Sequence, residues 1–202
     1  MIKGRTFQKQ LRIFNAHGGM LRTAQALRLG IHPRDIYAMR NSGELERISR
    51  GLYRVGSMAP LANPDLVTAA LRIPKGVICL ISALAFHDIT TQIPHEVFVA
   101  LPHGAEKSRI DYPPVHCVWF KEPAFGSGIE THKIDGVPVR IYCAEKSVAD
   151  CFKARNKIGL DVAIEALKLC RRKKGFKPET ILEYAKLCRV DKVIKPYLEA
   201  IL

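Results

Sequence analysis

Arginine, tyrosine and asparagine side chains recur between residues 34 and 54 at spacings that suit contact with nucleic acid. A guanidinium group donates two parallel hydrogen bonds to a phosphate or to the edge of guanine, and an amide can read other base edges. The residues that we predict to make such contacts are Arg34, Tyr37, Ala38, Arg40, Asn41, Arg47, Arg50 and Arg54. Double-stranded DNA is therefore the first partner to consider.

The charge of the N-terminal segment supports this hypothesis. The first 55 residues hold eleven Lys or Arg against three Asp or Glu, a net charge of +8, and nine of the eleven cations are arginines. The cations outside the predicted contact set are Lys3, Arg5, Lys9, Arg12, Arg22 and Arg28. A charge of this size favours phosphate contacts, whose strength falls as salt is added.

Two short helices are predicted to begin the module that positions these side chains. Phe7 and Phe14 recur at helical spacing in the first helix, which Thr6 or a neighbour opens. The second helix is predicted over residues 23–29, with Thr23 as its N-cap because a threonine hydroxyl can accept a free backbone N–H.

The third helix carries the predicted base-reading residues. Pro33 suits the first helical position, where its missing N–H costs nothing, and Gly43 ends the helix. Ile36 and Met39 are spaced to face a core, which leaves the polar and basic side chains outward.

Two short strands at residues 45–49 and 52–55, joined at Arg50-Gly51, complete the predicted module. Three helices followed by a hairpin predict a winged helix-turn-helix, and we assign residues 1–58 to this DNA-binding domain. The alternative is a protein-docking module whose basic surface aids solubility, and the sequence leaves that open.

Composition predicts two domains in a chain of 202 residues that is 48% hydrophobic and 25% charged. The boundary falls at residues 56–63, where Gly, Ser and Pro break all periodicity, so the second domain is residues 59–202. No run of 18 apolar residues and no signal-peptide core is present, so we expect a cytoplasmic protein without membrane contact. The six cysteines show no C-x-x-C spacing, so reduced buried thiols are expected, with no metal site and no cofactor.

A second group of cations lies in the last quarter of the chain. Residues 151–202 carry a net charge of +7, whereas residues 56–150 carry −2. The cations that we group as a possible second basic surface are Lys153, Arg155, Lys157, Lys168, Arg171, Arg172, Lys173 and Lys174. Two interpretations stay open: solvated charges at a helix end, or a surface that contacts DNA, RNA or a nucleotide.

The second domain is predicted to be α+β, with a mainly antiparallel sheet packed by helices. Strands are predicted at residues 77–80, 96–101, 115–120, 129–134 and 137–142, and helices at 65–72, 82–87, 145–154, 160–172, 178–188 and 191–202. Asp135-Gly136 predicts a tight hairpin, because this pair suits a type I′ turn.

Several stretches resemble the AbiEi family of antitoxins. Residues 43–54 (Gly-Glu-Leu-Glu-Arg-Ile-Ser-Arg-Gly-Leu-Tyr-Arg) are similar to the family's N-terminal module. The Ser-Ala-Leu-x-x-His stretch with Ser82 and His87, the Thr-Gln-Ile-Pro stretch at 91–94, and residues 144–161 resemble the C-terminal domain of its transcriptional-regulator branch. Within that last stretch the motif residues are Glu145, Lys146 and Asp150, and Ser147 stands where threonine is more usual.

This resemblance implies the antitoxin half of a type IV toxin-antitoxin, or abortive-infection, system. Such proteins bind inverted repeats upstream of their own operon and repress it. Their C-terminal domain counters a nucleotidyltransferase-like toxin, without necessarily forming a stable complex with it.

The alternative function is a nucleic-acid-modifying enzyme, a nuclease or phosphotransferase, with a winged targeting domain. Metal-dependent nucleotidyl transfer needs paired acids after a Gly-Ser step, whereas Gly126-Ser127 is followed by a single carboxylate, Glu130. A two-metal nuclease needs Glu and Lys on one face of a strand, whereas Glu130 and Lys133 lie on opposite faces of the predicted strand. Neither reaction is well supported. Ser82 is better explained as a helix cap and His87 as a packed side chain than as a catalytic pair. For Lys146 and Asp150, at i,i+4 spacing, a structural salt bridge and a chemical role are both left open.

Overall fold

The computed structural model describes residues 7–107 and 109–201. The predicted helix start at Thr6 and two cations of the basic N-terminal segment, Lys3 and Arg5, lie outside the described residues. None of the helices within these two ranges is long and apolar enough to cross a membrane.

The N-terminal part of the chain contains three helices and a small antiparallel sheet. Its elements are α1 (Gln8–Ala16), β1 (Met20–Arg22), α2 (Thr23–Arg28), α3 (Pro33–Asn41), β2 (Leu45–Ser49) and β3 (Leu52–Val55). The strand order is β1-β3-β2, so β3 is the central strand and β2 and β3 form a hairpin. The two strands of this hairpin have the bounds that the sequence predicts.

Local sequence explains how these helices begin. His32 precedes α3, and its Nδ1 accepts a hydrogen bond from the Arg34 N–H at 3.2 Å, while Pro33 takes the first helical position as predicted. Thr23, in contrast, is the first residue of α2 rather than its N-cap. Its hydroxyl donates to the Gly51 carbonyl at 3.3 Å, because the β2–β3 turn packs directly against the start of this helix.

The remainder of the chain combines a five-stranded sheet with six helices among the described residues. Its elements are α4 (Pro64–Arg72), β4 (Val77–Ile78), α5 (Leu80–Phe86), β5 (Val97–Pro102), β6 (Val115–Phe120), β7 (Ile129–Ile134), β8 (Val137–Tyr142), α6 (Ala144–Ile158), α7 (Leu160–Arg171), α8 (Pro178–Leu187) and α9 (Asp191–Ile201). Asp135 and Gly136 both adopt positive φ in the β7–β8 turn, at 49° and 81°, as the predicted hairpin requires.

The five-stranded sheet is mixed, which corrects the prediction of a mainly antiparallel sheet. The strand order is β6-β5-β4-β8-β7; β5–β6 and β4–β8 are parallel, whereas β4–β5 and β7–β8 are antiparallel. The alternation of apolar residues predicts where strands lie but carries no information on which strands pair or in which direction. The described chain is therefore α+β, as predicted, but its five-stranded sheet is mixed rather than mainly antiparallel.

The sheet separates two apolar clusters. Helices α5 to α9 cover one face, around Tyr142, Phe152 and Leu167, and α4 covers the other, around Val99 and Ile141. Met20, from the N-terminal part, packs into this second cluster. The N-terminal part therefore contacts the sheet directly.

Gly128 marks a place where the loop before β7 must pass very close to α6. A Cβ added at Gly128 would lie 2.8 Å from Lys146 Cβ and 3.2 Å from Cys143 Sγ, and its φ of 72° disfavours any side chain. Gly104 has a similar φ of 83°, yet a Cβ there would meet no atom within 4 Å.

These two glycines provide a matched pair for a stability prediction. We expect Gly104→Ala to lower the free energy of unfolding by about 1–2 kcal/mol through its backbone conformation. Gly128→Ala should lower it by about 1–3 kcal/mol more, because the methyl group overpacks against Lys146. Urea unfolding of both variants measures the difference. Equal losses would mean that the loop moves away at no cost and that the close packing on Lys146 does not constrain it.

Candidate nucleic-acid interface

Four side chains form a continuous exposed face on α3. Arg34, Tyr37, Arg40 and Asn41 all face solvent, and Tyr37 is 51% exposed. The Arg40 guanidinium lies 5.8 Å from the centre of the Tyr37 ring. Its Nε and Nη2 donate to Asn41 Oδ1 at 3.3 and 3.0 Å. We call these four residues the α3 face.

The α3 face carries no negative charge. The helix has one carboxylate, Asp35, which is only 9% exposed and accepts a hydrogen bond from Gln10 Nε2 at 3.2 Å. Ile36 and Met39 are buried beside it, as predicted. Ala38, which is half-buried and packs against this core, contributes less to the surface than predicted.

The β2–β3 hairpin presents two further arginines. Arg47 and Arg50 are exposed, and Arg47 Nε donates weakly to the Ser49 carbonyl at 3.4 Å. Both guanidinium groups are therefore accessible to solvent.

Arg54 does not lie on this surface, which corrects its assignment to the exposed hairpin. It is 5% exposed, its Nη2 donates to the Met58 carbonyl at 2.7 Å, and the same atom lies 3.7 Å from Glu46 Oε2. The physical reason is that β3 is the central strand of its sheet, with all four residues buried, whereas the prediction treated it as one arm of a free hairpin.

The second basic group is divided by the fold. Helices α6 and α7 are joined through Gly159 and pack as an antiparallel pair. This orientation is seen at one cavity, which is lined both by Ala144 at the start of α6 and by Cys170 at the end of α7. Lys168, Arg171, Arg172, Lys173 and Lys174 therefore lie at one end of this pair, whereas Lys153, Arg155 and Lys157 lie toward the other end. Lys173 also pairs with Asp88 at 3.7 Å.

Ser82 and His87 are both part of the internal hydrogen-bond network. Ser82 lies inside α5 and does not cap it, which corrects the prediction; its Oγ accepts the Phe98 N–H at 3.0 Å and donates to the Glu96 carbonyl at 3.4 Å, so it joins the helix to β5. His87 Nε2 donates to the Tyr142 carbonyl at 2.8 Å. Their separate partners give no nucleophile and base arrangement.

Lys146 and Asp150 form an ion pair in the core. Lys146 is 0% exposed and Asp150 2% exposed, and Lys146 Nζ donates to both Asp150 carboxylate oxygens at 2.6 Å. Burial raises the pKa of the Asp150 carboxyl, and the Lys146 ammonium and the Cys188 thiol lower it only in part. Glu145, the third residue of this motif, is half-buried and lines the cavity next to His87. The buried pair indicates a structural role.

Tyr142 connects the two C-terminal motifs, and sequence reasoning missed it. Its carbonyl accepts hydrogen bonds from both His87 Nε2 and Ser147 Oγ, the latter at 3.3 Å, and its ring centre lies 4.4 Å from Lys146 Nζ. Its hydroxyl donates to the Phe125 carbonyl at 2.7 Å. The signal in the sequence was its place at the end of a strand directly before the Glu-Lys-Ser stretch.

Comparison with known proteins identifies the N-terminal part. Residues 8–56, which include the whole α3 face and the β2–β3 hairpin, match the family described as transcriptional regulator, AbiEi antitoxin. The chain carries an AbiEi antitoxin regulator module. The resemblance seen in residues 43–54 is thereby confirmed, and the matching family is one of antitoxins that regulate transcription.

A solved structure is similar over almost the whole chain. The crystal structure of the Rv2827c protein from Mycobacterium tuberculosis covers 98% of this chain and 82% of its own, with a TM-score of 0.57 and 11% sequence identity. At that identity the likeness concerns the fold. No curated protein matches the chain.

The placement of Arg54 gives a prediction that separates stability from DNA contact. Arg54→Ala should lower the free energy of unfolding by about 2 kcal/mol, because it removes a charged hydrogen bond and leaves the Met58 carbonyl unpaired. Arg50→Ala, on the exposed turn of the same hairpin, should change it by less than about 0.5 kcal/mol. Thermal and urea unfolding measure both. A stable Arg54→Ala variant with weakened DNA binding would return Arg54 to the interface.

Proposed function

We propose that this protein binds operator DNA with the α3 face in the major groove and the β2–β3 hairpin along the adjacent backbone, as a winged helix-turn-helix does. The observation that carries the proposal is the α3 face itself. Arg34, Tyr37, Arg40 and Asn41 are exposed together on one side of a helix whose sole carboxylate is buried. Guanidinium and amide groups in this arrangement suit base edges, whereas Arg47 and Arg50 suit phosphates.

The operator in this proposal is an inverted repeat upstream of the protein's own operon, so that binding represses transcription. Support comes from the family of the AbiEi module, which is one of transcriptional regulators. The basic end of α7, with Arg171, Arg172 and Lys174, is proposed to extend the DNA footprint beyond the hairpin. Lys153 and Lys157, toward the other end of the helix pair, are not expected to share that footprint.

The antitoxin role is proposed to reside in residues 59–202. This part would counter a nucleotidyltransferase-like toxin encoded beside it, in the cytoplasm, and without a catalytic centre of its own. The burial of Lys146 and Asp150 supports this, since neither side chain is accessible to a substrate.

DNA-binding variants test the proposed reading helix. Arg34→Ala and Asn41→Ala should weaken binding to the DNA upstream of the gene by about 1–3 kcal/mol each, with a smaller effect on random duplex. Arg47→Ala and Arg50→Ala should weaken both duplexes alike and reduce the slope of log K against log salt by about 1 each. Fluorescence anisotropy over a salt series measures all four. If Arg34→Ala and Asn41→Ala weaken both duplexes equally, α3 does not read sequence.

A full-length double variant tests whether repression and neutralisation are separate. Expressed from a foreign promoter, the Arg34→Ala/Asn41→Ala chain should lose repression of an operon reporter, because the base contacts are gone, yet still protect cells that express the neighbouring toxin. Growth and reporter output are scored together, with the unaltered chain as control. Loss of protection would mean that neutralisation acts through transcription.

A further inference from the structure

A cleft of about 380 Å³ lies between the AbiEi module and the five-stranded sheet with its helices, α4 to α9, which we call the sheet domain. Arg22 and Gln25 line it from the module, at the β1–α2 junction, and Arg140 lines it from β8. Its apolar lining includes Leu71 and Ile73, from the end of α4 and just beyond it. A volume of this size is in the range of small-molecule sites.

Arg22 lies in this cleft with part of its charge unsatisfied. Its Nη2 is buried and has no hydrogen-bond partner among the described residues. A buried donor on a charged group that lacks an acceptor is costly, and such groups in proteins normally have a partner.

A second guanidinium group increases this cost. Burial, followed by the nearby positive charge of Arg72, lowers the pKa of Arg22. Arg72 itself donates through Nη1 to the Arg50 carbonyl at 2.9 Å and through Nη2 to the Arg109 carbonyl at 3.0 Å. Both acceptors are neutral, so they fix the Arg72 side chain without compensating its charge.

The Arg140 guanidinium, which lines the cleft from β8, also donates to a neutral backbone carbonyl, as Arg72 does. Its Nη1 donates to the Lys75 carbonyl at 3.1 Å. Within the described part of the chain, none of the ion pairs involves Arg22, Arg72 or Arg140. Two guanidinium groups, those of Arg22 and Arg140, therefore line a partly apolar cleft, and Arg72 adds a third positive charge near Arg22.

We propose that this cleft binds a small organic anion, in which a phosphate or carboxylate group contacts Arg22 and Arg140 and a compact apolar body packs on Leu71 and Ile73. Arginine suits both kinds of anionic group, because its fork of donors matches two oxygens at once. The anion compensates the charge of the Arg22 guanidinium, which lines the cleft, and reduces the repulsion between Arg22 and Arg72.

The position of the cleft couples this ligand to DNA binding, a consequence that rests on the function proposed above. Arg72 from α4 holds the Arg50 carbonyl, and Thr23, next to Arg22, holds the Gly51 carbonyl. Both contacts end at the turn of the β2–β3 hairpin. A ligand that links Arg22 to the sheet domain therefore fixes the hairpin relative to α4.

The test uses phenyl phosphate, benzoate and inorganic phosphate as probes for the full-length chain, without DNA. Calorimetric titration should show one site for phenyl phosphate or benzoate, whichever group the cleft prefers, with higher affinity than for inorganic phosphate because of the apolar lining. Arg22→Gln and Arg140→Gln should each weaken this binding by about tenfold or more. Arg28→Gln, the same change on the nearby α2 outside the cleft, should leave it unchanged.

Two results would overturn the proposal: no binding of either aryl anion, or equal weakening by Arg28→Gln and Arg22→Gln, which would indicate a general charge effect. A folding defect is separable, because Arg22→Gln removes a half-buried guanidinium whose Nη2 has no partner and should unfold at the same temperature as the unaltered chain or higher. The preferred aryl anion at saturation should then change the affinity for upstream DNA, and unchanged affinity would overturn the coupling. Failure of DNA binding in every condition would contradict the proposed function and leave the calorimetric result standing.

Discussion

The buried ion pair between Lys146 and Asp150 is the interaction on which the sheet domain depends. The ammonium group lies over the rings of Tyr142 and Phe120, at 4.4 and 5.1 Å, and the carboxylate accepts the Cys188 thiol at 3.2 Å. Through these contacts the pair connects α6 to β6, β8 and the end of α8. Removing two charges from water is costly, so the pair is favourable only while the surrounding groups remain in place.

The neighbouring hydrogen bonds show how the rest of the domain is arranged around this pair. The Tyr142 carbonyl accepts hydrogen bonds from His87, which directly follows α5, and from Ser147 in α6, while the Gly128 loop packs on the Lys146 side chain. The two motifs by which the C-terminal part resembles AbiEi antitoxins thus meet at a single strand end. Ser82, His87, Lys146 and Asp150 from these motifs all make hydrogen bonds inside the fold.

Much of this fold could be predicted from local sequence. The two hairpins, the start of α3 at Pro33 and the helical C-terminal region follow from turn chemistry, capping and apolar periodicity, which are properties of neighbouring residues. The α3 face could be predicted in the same way, because Ile36 and Met39 set which side of the helix is buried. Its role in DNA recognition stays a prediction.

What could not be predicted depends on long-range pairing. Arg54 is buried because β3 receives β1 as a second neighbour, and nothing near Arg54 in the sequence indicates that. The mixed sheet arises because β4 lies between β5 and β8, which are distant in sequence. Ser82 and Thr23 suit helix caps by type, yet each bonds to a strand or turn that only the folded chain brings near. The cleft at Arg22 is likewise formed by three separate segments.

A double-mutant cycle on the ion pair, read out by urea unfolding and by protection of toxin-expressing cells, tests the structural role of Lys146 and Asp150 most directly. Lys146→Met and Asp150→Leu should each lower the free energy of unfolding by about 3–5 kcal/mol, because each leaves one buried charge unpaired. The double variant, which replaces the pair by apolar side chains of similar shape, should be more stable than either single variant and should still protect cells. A double variant that folds stably and fails to protect would contradict this account, since it would assign the pair a chemical role.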